Sequence, residues 1–124
     1  MIIPFHELSI IPLEKGYDLS SFTSSSEDLN DFLHNDAIRS QEELISRTYI
    51  CLWNRRLVGF FTLVTDTIEV KLVEKEDGVD DYGYQRYPAI KIARMAVDEK
   101  LSGSGIGRHL LLAAVGKVHH LSQE

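Results

Sequence analysis

Apolar and polar positions along the chain follow two rhythms, and the change from one to the other divides it into elements. Residues 8–16, "LSIIPLEKG", form a short β-rich run that stops at a glycine and predict a first strand. From "SFTSSSEDLNDFL" onward the period becomes helical. Leu29, Phe32, Leu33 and Ala37 recur on one face, and the helix is expected to fray near Glu43. Its start is marked by a capping pair, Ser25 with Asp28 or Ser24 with Glu27, and by acids that suit the positive end of the helix dipole. "RTYICLW" (47–53) and "LVGFFTLVTDTI" (57–68) are dense in β-branched and aromatic residues, and "NRR" between them reads as the turn of an antiparallel hairpin. Gly59 inside the second run predicts a bulge.

Residues 69–87 break the rhythm with six acids, three bases, two glycines and three tyrosines, the composition of a loop that leaves the sheet. "PAIKIARMAVD" (88–98) returns to strand character behind Pro88. The short link "DEKLS" follows. From Ile106, residues Leu110, Leu111, Ala114, Val115 and Val118 make the apolar stripe of a last helix. The pattern as a whole is α/β, with a mixed, mostly antiparallel sheet flanked by helices.

Composition narrows the function classes. The 124 residues suit a single domain. No apolar run is long enough to cross a bilayer, and "MIIPFHELSI" lacks the layout of a signal peptide. Cys51 is the single cysteine, so no internal disulfide can form and a reducing cytoplasm is the expected setting. It reads as a small core residue. With 13 basic against 19 acidic side chains, the net charge of −6 argues against broad nucleic-acid binding. A local patch from Arg47, Arg55, Arg56, Lys91 and Arg94 is the alternative to a scattered, solvated set. No cluster of His, Cys and carboxylates has ligand spacing, so no metal is expected.

The candidate chemistry lies in "VDEKLSGSGIGRHLL" (97–111), where Gly103, Gly105 and Gly107 open the last helix. First-turn N–H groups have no partner within a helix and carry partial positive charge, and glycines let an anion reach them. The expected guest is a phosphate or pyrophosphate, with hydroxyl donors from Ser102 and Ser104 and a charge from Arg108. A Walker loop is excluded, because Arg108-His109 stands where it needs Lys-Ser/Thr. A dinucleotide fingerprint fits poorly, because only Ile106 separates Gly105 from Gly107.

The stretch "RMAVDEKLSGSGIGRHLL" resembles the pyrophosphate loop of the GNAT family, the Gcn5-related N-acetyltransferases. The family pattern is Arg/Gln-x-x-Gly-x-Gly/Ala behind a strand ending apolar-x-Val. Gly105 and Gly107 match its glycines, and Ser102 stands where the long Arg/Gln donor is usual. "FTSSSEDLNDFLHNDA", "SRTYICLWNRRLVGFFTL" and "IARMAVD", in that order, are similar to the toxin-type branch, and the likeness runs from about residue 8 to the end. The resemblance implies the acyl-CoA N-acyltransferase fold and acetyl transfer from acetyl-CoA to a primary amine by direct attack. It places Met95, Ala96 and Val97 along the pantetheine arm, with backbone groups of Met95 and Val97 bonding it like an added strand. It places the amides of Gly103, Ser104, Gly105, Ile106, Gly107 and Arg108 around the pyrophosphate, and Val97 N–H at the oxyanion.

No general base stands out. Lys91 and Arg94 lie on the cofactor strand, Asp66, Glu69, Tyr82, Tyr84 and Tyr87 are weaker candidates, and His119 and His120 fall at the far end of the last helix. Family members continue with further strands and a helix that this chain lacks, so it is expected to be the front two-thirds of the domain. The exposed sheet edge this leaves predicts a homodimer. Toxin-type relatives acetylate aminoacyl-tRNA. The charge favours a small amine or a protein amino group instead, and a non-catalytic CoA-binding or protein-interaction module is the competing class.

Overall fold

A computed structural model describes residues 1–71 and 84–122, with the backbone alone for 67–71, 84–88 and 122. One antiparallel sheet runs in chain order, β1 (Leu8–Pro12), β2 (Ser46–Trp53), β3 (Arg56–Lys71) and β4 (Tyr84–Val97). The helical segment between β1 and β2 covers one face, and the last helix covers the other.

The β2–β3 hairpin turns on two residues, Asn54 and Arg55, at φ of +51° and +64°. Positive φ at both central positions is what a tight hairpin requires, because that twist matches the strands it joins. Arg56 therefore already belongs to β3, opposite Trp53. The predicted irregularity at Gly59 is found one residue earlier. Cys51 faces Gly59 and Leu52 faces Leu57, so Val58 is the extra residue. Gly59 has a separate reason to be glycine: a Cβ there would lie 2.8 Å from Leu110 Cδ1 and 3.1 Å from Ala96 O. The last helix can lie this close to the sheet only over a bare backbone.

Two boundaries differ from the sequence reading. The first strand ends at Pro12 rather than near Gly16, although Leu13 N–H still reaches Thr48 O at 2.8 Å. The segment expected to leave the sheet at 69 instead continues as a ribbon, with Glu69, Val70 and Lys71 paired to Arg86, Gln85 and Tyr84. Charged side chains on a two-stranded ribbon disguise it as a loop. Tyr82 lies outside the described residues. Pro88 is tolerated in β4 because β4 is an edge strand.

The segment after β1 forms α1 (Glu27–Asp31), a π-helical turn (Phe32–Asp36) and α2 (Ala37–Glu42). Its cap is Ser26, whose hydroxyl accepts from Leu29 N–H, and neither Ser24 nor Ser25 takes that role. Ser24 is held by Asn30 instead: Asn30 Oδ1 accepts from both the N–H and the hydroxyl of Ser24, and its amide donates to Ser24 O. Replacing Ser26 by alanine removes the cap without touching this clamp. It is expected to cost about 1 kcal/mol, read as a lowered urea midpoint.

The sheet separates two cores. On the first face Phe22, Phe32, Leu33 and Ala37 meet Ile50, Leu57, Phe60 and Ala96. On the second, α3 (Ile106–Ser122) lays Ile106, Leu110 and Ala114 against Tyr49, Cys51, Val58, Phe61 and Leu63. The buried stripe of α3 is narrower than its apolar pattern, since Leu111 and Val115 are about half exposed at 49% and 52%. Nothing among the described residues covers that flank. Cys51 is fully buried, and burial pushes its thiol up to about 11, which leaves it protonated and inert at neutral pH.

Candidate functional site

β4, the link behind it and the first turn of α3 are joined by four local contacts. Asp98 N–H donates to Val58 O at 2.8 Å, and Glu99 N–H donates to Thr23 O at 2.9 Å. The buried Asp98 carboxylate accepts from Lys100 N–H at 3.0 Å and caps a single 3₁₀ turn, Glu99–Leu101. Ser104 N–H then closes onto Leu101 O. These bonds fix where the glycine loop leaves the sheet.

The same register decides which way the cofactor strand's peptide groups point. In an antiparallel ladder, hydrogen-bonded pairs alternate with pairs that make no bond. Asp98 bonds Val58, and the register continues Gly59 with Val97, Phe60 with Ala96 and Phe61 with Met95. Ala96 therefore carries the next ladder bonds to β3. The N–H and C=O groups of Met95 and Val97 turn to the outer edge of β4, where no strand of the described residues pairs with them. Their side chains pack toward the α3 core, while Ala96 is buried on the opposite face.

A cleft of about 420 Å³ runs beside this edge, lined by Ser24, Ser25, Ser26, Leu29, Met95, Ala96, Val97, Asp98, Glu99 and Ser102. It ends where the glycine loop begins. Gly103 and Gly105 sit at φ of +80° and +88°, conformations that side-chain-bearing residues rarely adopt. The first hydrogen bond of α3 runs from His109 N–H to Gly105 O at 3.2 Å. The N–H groups of Gly105, Ile106, Gly107 and Arg108 make no bond among the described residues, as expected of a first turn. Ser104 Oγ is buried and lacks a partner there, while Arg108 is exposed.

No family model matches the chain. It is 32% identical over 100 residues to a tRNA-acetylating toxin of Mycobacterium tuberculosis, an alignment covering 81% of this chain and 59% of that protein. Among solved structures it is similar to AtaTR bound with acetyl-CoA, with a TM-score of 0.81 and 29% identity over 95% of this chain and 72% of that one. It is also similar to AtaT complexed with acetyl-methionyl-tRNAfMet, with a TM-score of 0.74 and 28% identity over 94% and 71%. The fold is that of the GNAT toxins. This chain spans about three-fifths of the length of the mycobacterial relative.

Set on the GNAT frame, the residues assigned from sequence fall into one continuous strip. Met95, Ala96, Val97 and Ser102 border the cleft, and Gly103 to Arg108 follow Ser102 directly in the chain. The proposed bases do not gather there. Asp66 is ion-paired with Lys91 at 3.0 Å, and His119 and His120 lie in the last turn of α3. The side chains of Glu69, Tyr84 and Tyr87 are outside the described residues. Nor do the basic residues form one patch. Arg55 and Arg56 occupy the hairpin, Lys91 is neutralised by Asp66, and Arg94 stacks on the Phe32 ring at 3.8 Å from its centroid.

Sequence reasoning overlooked one part of the site. The N-terminal residues lie against the loop: Ile3 N–H donates to Ser104 O, and His109 Nε2 donates to Ile3 O, each at 2.9 Å. His109 falls four residues after Gly105, one helical turn on. That spacing was the available signal.

Proposed function

We propose that this chain transfers the acetyl group of acetyl-CoA to a primary amine by direct attack, and that the amine is the amino group of an aminoacyl-tRNA. The observation that carries the reading is the pairing of two unfilled sets of backbone groups. Met95 and Val97 offer strand-edge N–H and C=O groups to an amide-bearing arm, and the first turn of α3 offers unbonded N–H groups to an anion. An arm with two amides ending in a diphosphate fits this layout. The buried, unpartnered Ser104 Oγ supplies one further donor beside the loop.

The chain's own groups divide the work simply. The N–H groups from Gly105 to Arg108 hold the diphosphate, and the strand-edge groups of Val97 and Met95 hold the arm that leads away from it. Ser102 cannot reach as far as an Arg or Gln, so retention depends more heavily on the loop amides. For the acceptor, the exposed Arg55 and Arg56 at the β2–β3 hairpin supply a small positive site despite the net −6. The outer edge of β4 ahead of Met95 is where a second copy would add a strand, giving the homodimer.

Two measurements test this. Acetyl-CoA should raise the melting temperature, because a ligand that prefers the folded chain stabilises it. Free thiol should then appear with a charged tRNA in place of small amines or a lysine peptide. Release with small amines alone would replace the acceptor. Binding without release would make the chain a coenzyme-holding module, and an unchanged melting temperature would remove the proposal.

A further inference from the structure

We infer that the N-terminal segment works as a clasp on the glycine loop, with Ile3 and His109 acting as positioning residues that aim the Gly105 N–H at the bound diphosphate. The inference rests on the coenzyme reading above and assigns a role to residues outside the loop.

Ile3 is anchored first. Its side chain is 1% exposed and belongs to the core beneath α3. Its main chain then makes two bonds in opposite senses. The N–H donates to Ser104 O, and the carbonyl accepts from His109 Nε2, each at 2.9 Å. The carbonyl can only accept, so Nε2 carries the hydrogen. The imidazole is steadied by the Phe5 ring, 5.5 Å away between centroids and tilted by 57°. His109 also donates its own N–H to Gly105 O. One residue thus ties the strap to the first carbonyl of the helix.

The consequence lies in one peptide plane. The Ser104–Gly105 peptide is trans, so its C=O and N–H point in opposite directions. Because Ile3 holds the oxygen, the Gly105 N–H is turned to the other side, where it makes no bond among the described residues. Without the clasp this plane would be free to invert, since the rotation changes only Ser104 ψ and Gly105 φ, and a glycine places little steric restriction on φ. Inversion would present a carbonyl oxygen to the diphosphate in place of an N–H. Gly105 also faces the strap directly, with Ile2 Cγ2 at 3.7 Å and His109 Nε2 at 3.9 Å from where a Cβ would stand. The strap and the loop therefore move together.

The test compares two ligands that share the acetyl arm, one of which lacks the diphosphate and the adenosine 3′-phosphate joined to it. Acetyl-CoA and acetyl-pantetheine are titrated into the full chain, His109→Leu and His109→Gln, with binding followed by amide chemical shifts. His109→Leu should weaken acetyl-CoA about tenfold and leave acetyl-pantetheine within about twofold, the loss of one hydrogen bond felt only through the diphosphate. His109→Gln, whose side-chain amide can donate to Ile3 O, should recover most of the difference. An equal loss for both ligands in the leucine variant would show a general packing role and overturn the clasp, as would an unchanged acetyl-CoA affinity. Should the unmodified chain fail to prefer acetyl-CoA over acetyl-pantetheine, the diphosphate site itself is wrong. That result is read without either variant.

Discussion

Gly105→Val is expected to lower acetyl-CoA affinity by about a hundredfold while the chain remains folded. The effect has two sources. At φ of +88° a β-branched residue is strained by about 1–3 kcal/mol, and the loop relieves this by leaving the conformation that exposes its N–H groups. The new side chain also stands beside Ile2 and His109, with its β-carbon at ordinary contact distance from them, so its two γ-methyls crowd the strap. Gly105→Asn separates the contributions, because asparagine tolerates positive φ far better than valine and should lose much less. Calorimetric titration of the three proteins measures both. Equal affinity for the valine variant and the unmodified chain would mean that the coenzyme is not held by this loop.

Phe60→Ala should have the largest effect on stability, about 3–5 kcal/mol. Phe60 is fully buried at the centre of the face that carries α1 and α2. Its ring meets Phe22 edge-on at 5.8 Å and stacks with Phe32 at 6.4 Å. Removing it leaves a cavity that three elements and β3 cannot close together, because Phe32 is already held by Arg94 on its other contacts. A domain of this size has only about 5–15 kcal/mol of net stability, so a large share would go. Urea unfolding followed by Trp53 fluorescence would report it, and a loss below 1 kcal/mol would show that the aromatic cluster is not the centre of that core.

Most of the architecture was legible because burial imposes a period. Leu29, Phe32, Leu33 and Ala37 declare a helix face, and the β2–β3 hairpin declares itself by its apolar runs. What escaped had a common cause: groups whose partners are remote in sequence. The ribbon at 69–71 and 84–87 is strand because each half pairs with the other, and charged side chains on it carry no burial signal. The cap moved from Ser24 or Ser25 to Ser26 because Asn30, six residues on, occupies Ser24. Leu111 and Val115 belong to the apolar pattern of α3 yet remain half exposed, since pattern alone cannot say how wide a surface the neighbour offers. The glycine loop at the mouth of α3, with positive φ at Gly103 and Gly105, was readable from its own residues. Its support was not, because Ile3 lies 101 positions before Ser104 and only folding brings them together.

The adjacent pair Phe60 and Phe61 shows how the molecule is partitioned. Consecutive strand positions send one ring to the α1 and α2 side and the other to the α3 side, and the two apolar clusters have no member in common. Amino-acid changes on one side should then combine independently with changes on the other. A lineage could remodel the layer over the helical segment and inherit the layer beneath the glycine loop unaltered.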